Sequence, residues 1–168
     1  PPLKGAYLGA GLEETPAGLR ISRVEEKSAA AAAGLLPGDI LLRFGELDGL
    51  RSWNIRKLWQ ALSALSGRGA YEISVLRKKQ EVELRIRPDP ALVRDAKELA
   101  RRLQNHRLFN ALENKRALLE KIEGELVQAV RRSPSTQAAY EALNEIIGRF
   151  GVSHTAIVPP WSYASMLG

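Results

Sequence analysis

The first chemistry this chain offers is carried by its backbone. In Tyr7-Leu8-Gly9-Ala10-Gly11-Leu12 the glycines at 9 and 11 have no Cβ, so backbone N–H groups can be left open and brought close to a ligand. A turn of that kind can hold a carboxylate. Further on, Pro37 presets φ, Gly38 admits φ > 0 and Asp39 can bond back to neighbouring amides, in a turn that launches the apolar run Ile40-Leu41-Leu42. Side-chain chemistry is sparse. There are two histidines, His106 and His154, and no cysteine. Disulfides, thiolate metal sites and cysteine nucleophiles are thereby excluded. Histidines this far apart make no zinc site, and no metal or cofactor is expected. An imidazole such as His154 can take a proton from a serine hydroxyl. Its neighbour Ser153 is a poor nucleophile for it, because adjacent side chains in an extended segment point to opposite faces. His106 sits mid-helix among Asn105 and Arg107 and reads as a surface or interface residue.

The elements that must position these groups follow from periodicity. Gly11 to Thr15 reads as a strand, joined by Pro16-Ala17-Gly18 to Leu19-Arg20-Ile21-Ser22-Arg23-Val24, which alternates as a half-buried strand should. Ser28 suits the N-cap of a short helix, Ala29 to Ala33, that Gly34 ends. Ser52 can cap a helix running to Leu65, with Ile55, Leu58, Trp59, Leu62 and Leu65 at the spacing of one face. Of that stripe, Leu58, Leu62 and Leu65 read chiefly as core. Tyr71 to Leu76 and Glu81 to Arg87 form an antiparallel pair, with Arg77-Lys78-Lys79 as its solvated tip.

A boundary is expected at Arg87-Pro88-Asp89-Pro90, where two prolines end a strand and Asp89 and Pro90 suit the cap and first position of a helix. The expected domains are 1–88 and 89–168. From Ala91 to Arg132 there is no proline and one glycine, Gly124, and leucines recur at helical spacing. The long helix is expected to bend or break near Asn105-His106. A last helix, capped by Ser133 with Pro134 at its first position, buries Ala139, Leu143, Ile146 and Ile147 and stops around Gly148 to Gly151.

A net charge of +6 raises nucleic acid as a partner. The charge is spread thinly, with 14 basic and 10 acidic groups in residues 1–88 and 11 and 9 in residues 89–168. A clustered basic face with stacking aromatics is missing, so no nucleic-acid partner is expected. No apolar run approaches a bilayer span of about 20 residues, and no signal peptide opens the chain. Opening on Pro1-Pro2, the chain reads as a piece of something longer.

The order and spacing of the two turns resemble a PDZ domain of the bacterial high-temperature-requirement and tail-specific protease type, over Tyr7 to Arg87. Tyr7-Leu8-Gly9-Ala10 matches the carboxylate-binding loop, and Arg23 to Ala30 looks like the family's V-x-x-x-S-P-A stretch, with Ala29 in place of the proline. The implied fold is α+β, a PDZ β-sandwich or partly open barrel with two helices, then an all-α part and an extended tail. The implied function is binding of peptide or protein C-termini by strand addition, with the amides of Leu8, Gly9 and Ala10 holding the carboxylate. Leu8, Ala10, Leu12, Ile55, Trp59 and Leu62 would then line a pocket for an apolar last residue, and the strand from Gly11 would pair with the peptide. Arg56 and Lys57, exposed on the same helix, would favour upstream acids only weakly.

The segment Ile147 to Pro160, preceded by the helix Thr136 to Leu143, resembles the helical subdomain of tail-specific and tricorn-type serine proteases. In the tricorn branch the matching histidine, His154, is catalytic. In the processing-protease branch the pair is serine and lysine, and His154 is structural. The common family order places the helical subdomain before the PDZ domain, the reverse of the order here. The resemblance implies a parent serine endopeptidase, a periplasmic or extracytoplasmic setting, and a fragment that is not itself an enzyme, since no nucleophile or oxyanion turn is recognisable before Gly168. The alternative is a scaffold whose helical part, with Leu92, Leu99 and Leu103 on one side, forms a homodimer beside a vestigial groove.

Overall fold

The structure, a computed structural model, describes residues 3–104 and 113–149. The expected helix break at Asn105-His106 and the expected catalytic His154 lie outside the described residues. The chain falls into two compact units, one of them Lys4–Ala91 and the other containing the helices from Leu92 onward.

The first unit holds strands β1 (Ala6–Tyr7), β2 (Ala10–Thr15), β3 (Gly18–Val24), β4 (Ile40–Phe44), β5 (Tyr71–Arg77), β6 (Gln80–Ile86) and β7 (Asp89–Pro90). It also holds helices α1 (Ala29–Ala32) and α2 (Ile55–Ala64) and a 3-10 turn, Leu50–Ser52. Five strands make an antiparallel sheet in the order β2-β3-β4-β5-β6, and β1 pairs with β7. The fold is therefore α+β and PDZ-like, with an open sheet rather than a closed barrel, and β2 is one of its edges.

Strand alternation builds the core. Leu19 and Ile21 point inward while Arg20 and Ser22 point out. They meet Leu41, Phe44, Ile73, Val75 and Ile86, with Leu58 and Leu62 of α2 packed over them, all at most 1% exposed. The rings of Phe44 and Tyr71 lie 5.3 Å apart and tilted. The Pro37-Gly38-Asp39 turn works as its residue types demand. Gly38 has φ +95°, and the Asp39 carboxylate, 1% exposed, accepts from the Leu36 N–H at 2.9 Å and from Arg77 at 2.7 and 2.8 Å. The hydrogen bond to Asp39 raises the Arg77 pKa above its already high value. Arg77 is thus the end of a strand, and only Lys78 and Lys79, both at positive φ and exposed, form the hairpin tip.

Three helix starts differ from expectation. The cap of α2 is Asn54, whose side chain accepts from the Lys57 N–H at 2.8 Å; the Ser52 hydroxyl instead donates to the Gly49 carbonyl at the 3-10 turn. Asp89 and Pro90 do not open a helix, because Ala6 and Tyr7 claim them as strand partners and the Ala91 N–H donates to the Gly5 carbonyl. In the second unit, α3 (Leu92–Gln104) is followed by α4 (Lys115–Arg132) and α5 (Thr136–Gly148). Ser135, not Ser133, caps α5, accepting from the Ala138 N–H at 3.2 Å, while the Ser133 hydroxyl folds back onto the Ala129 carbonyl to end α4.

The helices pack in sequence, α4 against both α3 and α5. Each buries one stripe: Leu92, Val93, Ala96, Leu99, Ala100 and Leu103 on α3, Ile122, Leu126, Val127 and Val130 on α4, and Ala139, Leu143, Ile146 and Ile147 on α5. Among the described residues no helix is long and apolar enough to cross a membrane.

Candidate functional site

The glycine turn links β1 to β2, and two features hold it in one conformation. The first is Gly9 itself, at φ +70°. A Cβ there would lie 2.3 Å from the Ser28 Cβ and 3.0 Å from its Oγ, so both the backbone angle and the packing demand glycine. Ser28 is fixed in turn: its hydroxyl donates to the Glu25 carbonyl at 2.6 Å and accepts from the Ala31 N–H at 3.1 Å as the cap of α1. The second feature is a pair of backbone bonds. The Leu8 carbonyl accepts from the Ala30 N–H and the Gly9 carbonyl from the Glu25 N–H, both at 2.8 Å. The Tyr7 hydroxyl adds a 2.7 Å bond to the Glu25 carboxylate.

Those bonds orient the amides. In a planar trans peptide the N–H points opposite to the C=O, so with the Leu8 and Gly9 carbonyls turned toward the start of α1, the N–H groups of Gly9 and Ala10 point away from it. Neither Leu8 nor Gly9 donates to a backbone carbonyl among the described residues. The result is a set of open donors at the start of an edge strand.

The groove beside the loop lies along β2. One side of β2 pairs with β3, and the other has no strand partner among the described residues. The side chains named as pocket walls divide by depth. Leu8 and Leu62 are enclosed in the core at 1% exposure, whereas Ala10, Leu12 and Ile55 are half-buried against it. Trp59, one turn on from Ile55, is 39% exposed, an unusual amount for so large an apolar ring. Gly11 lies on the opposite face of β2 from Ala10 and Leu12. Helix α2 is tied to the strand by Glu14, whose carboxylate accepts from the Ile55 N–H at 2.9 Å. That bond counters the clustering of Arg56 and Lys57 at a helix N-terminus, which the helix dipole disfavours. Lys57 lies 4.3 Å from the centre of the Trp53 ring.

No family model and no curated relative matches the chain. Solved structures match about half of it. One is the HtrA-type protease AlgW with a decapeptide, at 24% identity, 51% of this chain, 29% of that chain and a TM-score of 0.47. Another is a serine endoprotease from Yersinia pestis, at 18% identity, 52% of this chain, 29% of that chain and a TM-score of 0.44. A third is an aminopeptidase N family protein from Idiomarina loihiensis, at 20% identity, 52% of this chain, 14% of that chain and a TM-score of 0.45. The chain spans less than a third of the length of each.

Chemically, the arrangement offers outward N–H donors, a free strand edge and a strip of accessible apolar surface, which is the equipment for binding an extended chain end. The glycine turn was legible in the sequence. Two supports were not: Glu14, which bridges strand and helix across 41 residues of sequence, and the packing of Ser28 under Gly9. Alternation marks Glu14 only as a polar strand residue, and nothing local points it at α2.

Proposed function

We propose that this chain is a binding module for peptide or protein C-termini, acting by strand addition to β2, within a larger serine protease of the tail-specific kind. The observation that carries the reading is the orientation of the turn: Gly9 is locked at φ +70° against Ser28, the Leu8 and Gly9 carbonyls turn inward, and the Gly9 and Ala10 amides face out. The carboxylate of a bound peptide would accept from the amides of Leu8, Gly9 and Ala10. Main-chain bonds to β2 from Gly11 onward would supply affinity. The last side chain would rest on Ala10, Leu12, Ile55 and Trp59 above the buried Leu8 and Leu62, which favours an apolar residue.

The test is titration of the chain with peptides ending in an apolar residue, each as free acid and as C-terminal amide, followed by tryptophan emission. Charge-assisted hydrogen bonds are worth about 1.5–3 kcal/mol, so amidation should weaken binding by about tenfold or more. Equal affinity of acid and amide, or no binding of either, overturns the reading.

A further inference from the structure

On the face of β2 away from the groove, three observations meet at Gly11. Its backbone is not left-handed, so no dihedral demands glycine. What demands it is space: a Cβ there would lie 2.7 Å from the Arg23 Cγ, 2.7 Å from the Ser22 Oγ and 3.1 Å from the Arg23 Nε. The register of β2 on β3 slips at the same place. Gly11 pairs with Arg23 but Leu12 pairs with Ile21, so Ser22 is an extra residue in β3. Such a bulge re-aims the side chains beside it, and here it brings Ser22 and Arg23 together against Gly11.

The third observation is charge. The next cation along this face, Arg20, is held by Glu13 with Nε to Oε1 at 2.6 Å. Arg23 is exposed and has no acidic partner among the described residues. A guanidinium is thus laid across the edge strand, over a residue with no side chain to block it, with its charge uncompensated.

A peptide added to β2 alternates its side chains in step with the strand. With its last residue over Ala10 and Leu12, its second-last side chain falls on the Gly11 face. We infer that Arg23, admitted by Gly11 and aimed by the Ser22 bulge, forms a subsite selecting an acidic side chain at the second-last position of the bound C-terminus. This rests on the reading of the groove proposed above. An exposed ion pair changes affinity by at most about fivefold, so the subsite sets preference among ligands while the loop and strand edge supply affinity.

The test uses the full chain and short peptides sharing one apolar last residue, with Glu, Gln or Lys second-last, each as free acid and as amide, by fluorescence anisotropy. The Glu peptide is expected to bind about threefold tighter than Gln and about fivefold or more tighter than Lys, a preference that shrinks as salt is raised. Arg23→Gln should level the three free acids, and Arg23→Glu should invert the order in favour of Lys. Equal affinity of the three free acids for the native chain, or an unchanged order in both variants, overturns the subsite and leaves the groove standing. Failure of every free acid to bind overturns both.

Discussion

Gly9→Ala is the perturbation that the structure constrains most tightly. Two costs add. A side chain at φ +70° costs about 1–2 kcal/mol from the left-handed conformation alone. The new methyl would also stand 2.3 Å from the Ser28 Cβ, so loop and helix must part by about 1 Å to restore ordinary contact. That separation weakens the two 2.8 Å bonds from Ala30 to Leu8 and from Glu25 to Gly9, each worth about 1 kcal/mol. The sum is a loss of about 3 kcal/mol, readable in urea unfolding, and the amide orientation should be lost with it. Ser28→Gly provides the control. Glycine is tolerated at an N-cap, and it deletes the atom struck by the new methyl. The combination Gly9→Ala with Ser28→Gly should therefore lose about 1 kcal/mol less than the two single changes added together, a coupling that contacting residues show and distant ones do not. Retention of stability within about 0.5 kcal/mol in Gly9→Ala, or strict additivity in the double variant, would refute the packing argument.

Other outcomes follow from the same geometry. Asp39→Ala strips the Leu36 N–H and the Arg77 guanidinium of a carboxylate only 1% exposed, and should cost about 3 kcal/mol in urea unfolding. Trp59→Ala should cost less stability than the about 3–5 kcal/mol of truncating a fully buried aromatic, since the residue is 39% exposed, and should weaken free-acid peptide binding by about threefold or more, read by anisotropy. Burial, with the charge of Asp95 nearby, raises the Tyr140 pKa above its ordinary value of 10.0. As pH rises past that value the unfolded chain loses the phenolic proton first, so the native state holds more protons and stability falls. Tyr140→Phe should make the fall above about pH 10 shallower, as measured by urea midpoints across that range.

Much of the architecture could be read from local pattern. Alternation in Leu19 to Val24 and in the β5–β6 pair set those strands and the inward side chains, and the Leu58 and Leu62 spacing gave the buried face of α2. The errors fell where two neighbouring residues could do the same job. Ser52 and Asn54 are both good caps, and the choice was made by Gly49, whose left-handed φ of 65° starts a 3-10 turn that buries Leu50 and occupies the Ser52 hydroxyl. Ser133 and Ser135 flank one proline, and the upstream serine was taken by the end of α4. Asp89-Pro90 carries every local mark of a helix start, but its partner strand lies at the other end of the unit, and pairing at that distance leaves no sign in a short window. The site divided in the same way. Gly9 and the turn were legible because glycine spacing is a local signal. The Glu14 bridge and the Arg23 side chain over Gly11 were not, because a strand contact to a distant helix and a bulge in β3 are decided by register rather than composition.

In the proposed mode of binding, the amides of the glycine turn receive a C-terminal carboxylate. The direct measurement is a ¹⁵N–¹H titration of the labelled chain with one apolar-ended peptide, as free acid and then as amide. The Gly9 and Ala10 amide protons should move strongly downfield with the acid and far less with the amide, as donors do on meeting a charged acceptor. If those two resonances stay still while others shift, or shift equally with both peptides, the turn does not hold the carboxylate and the account is wrong.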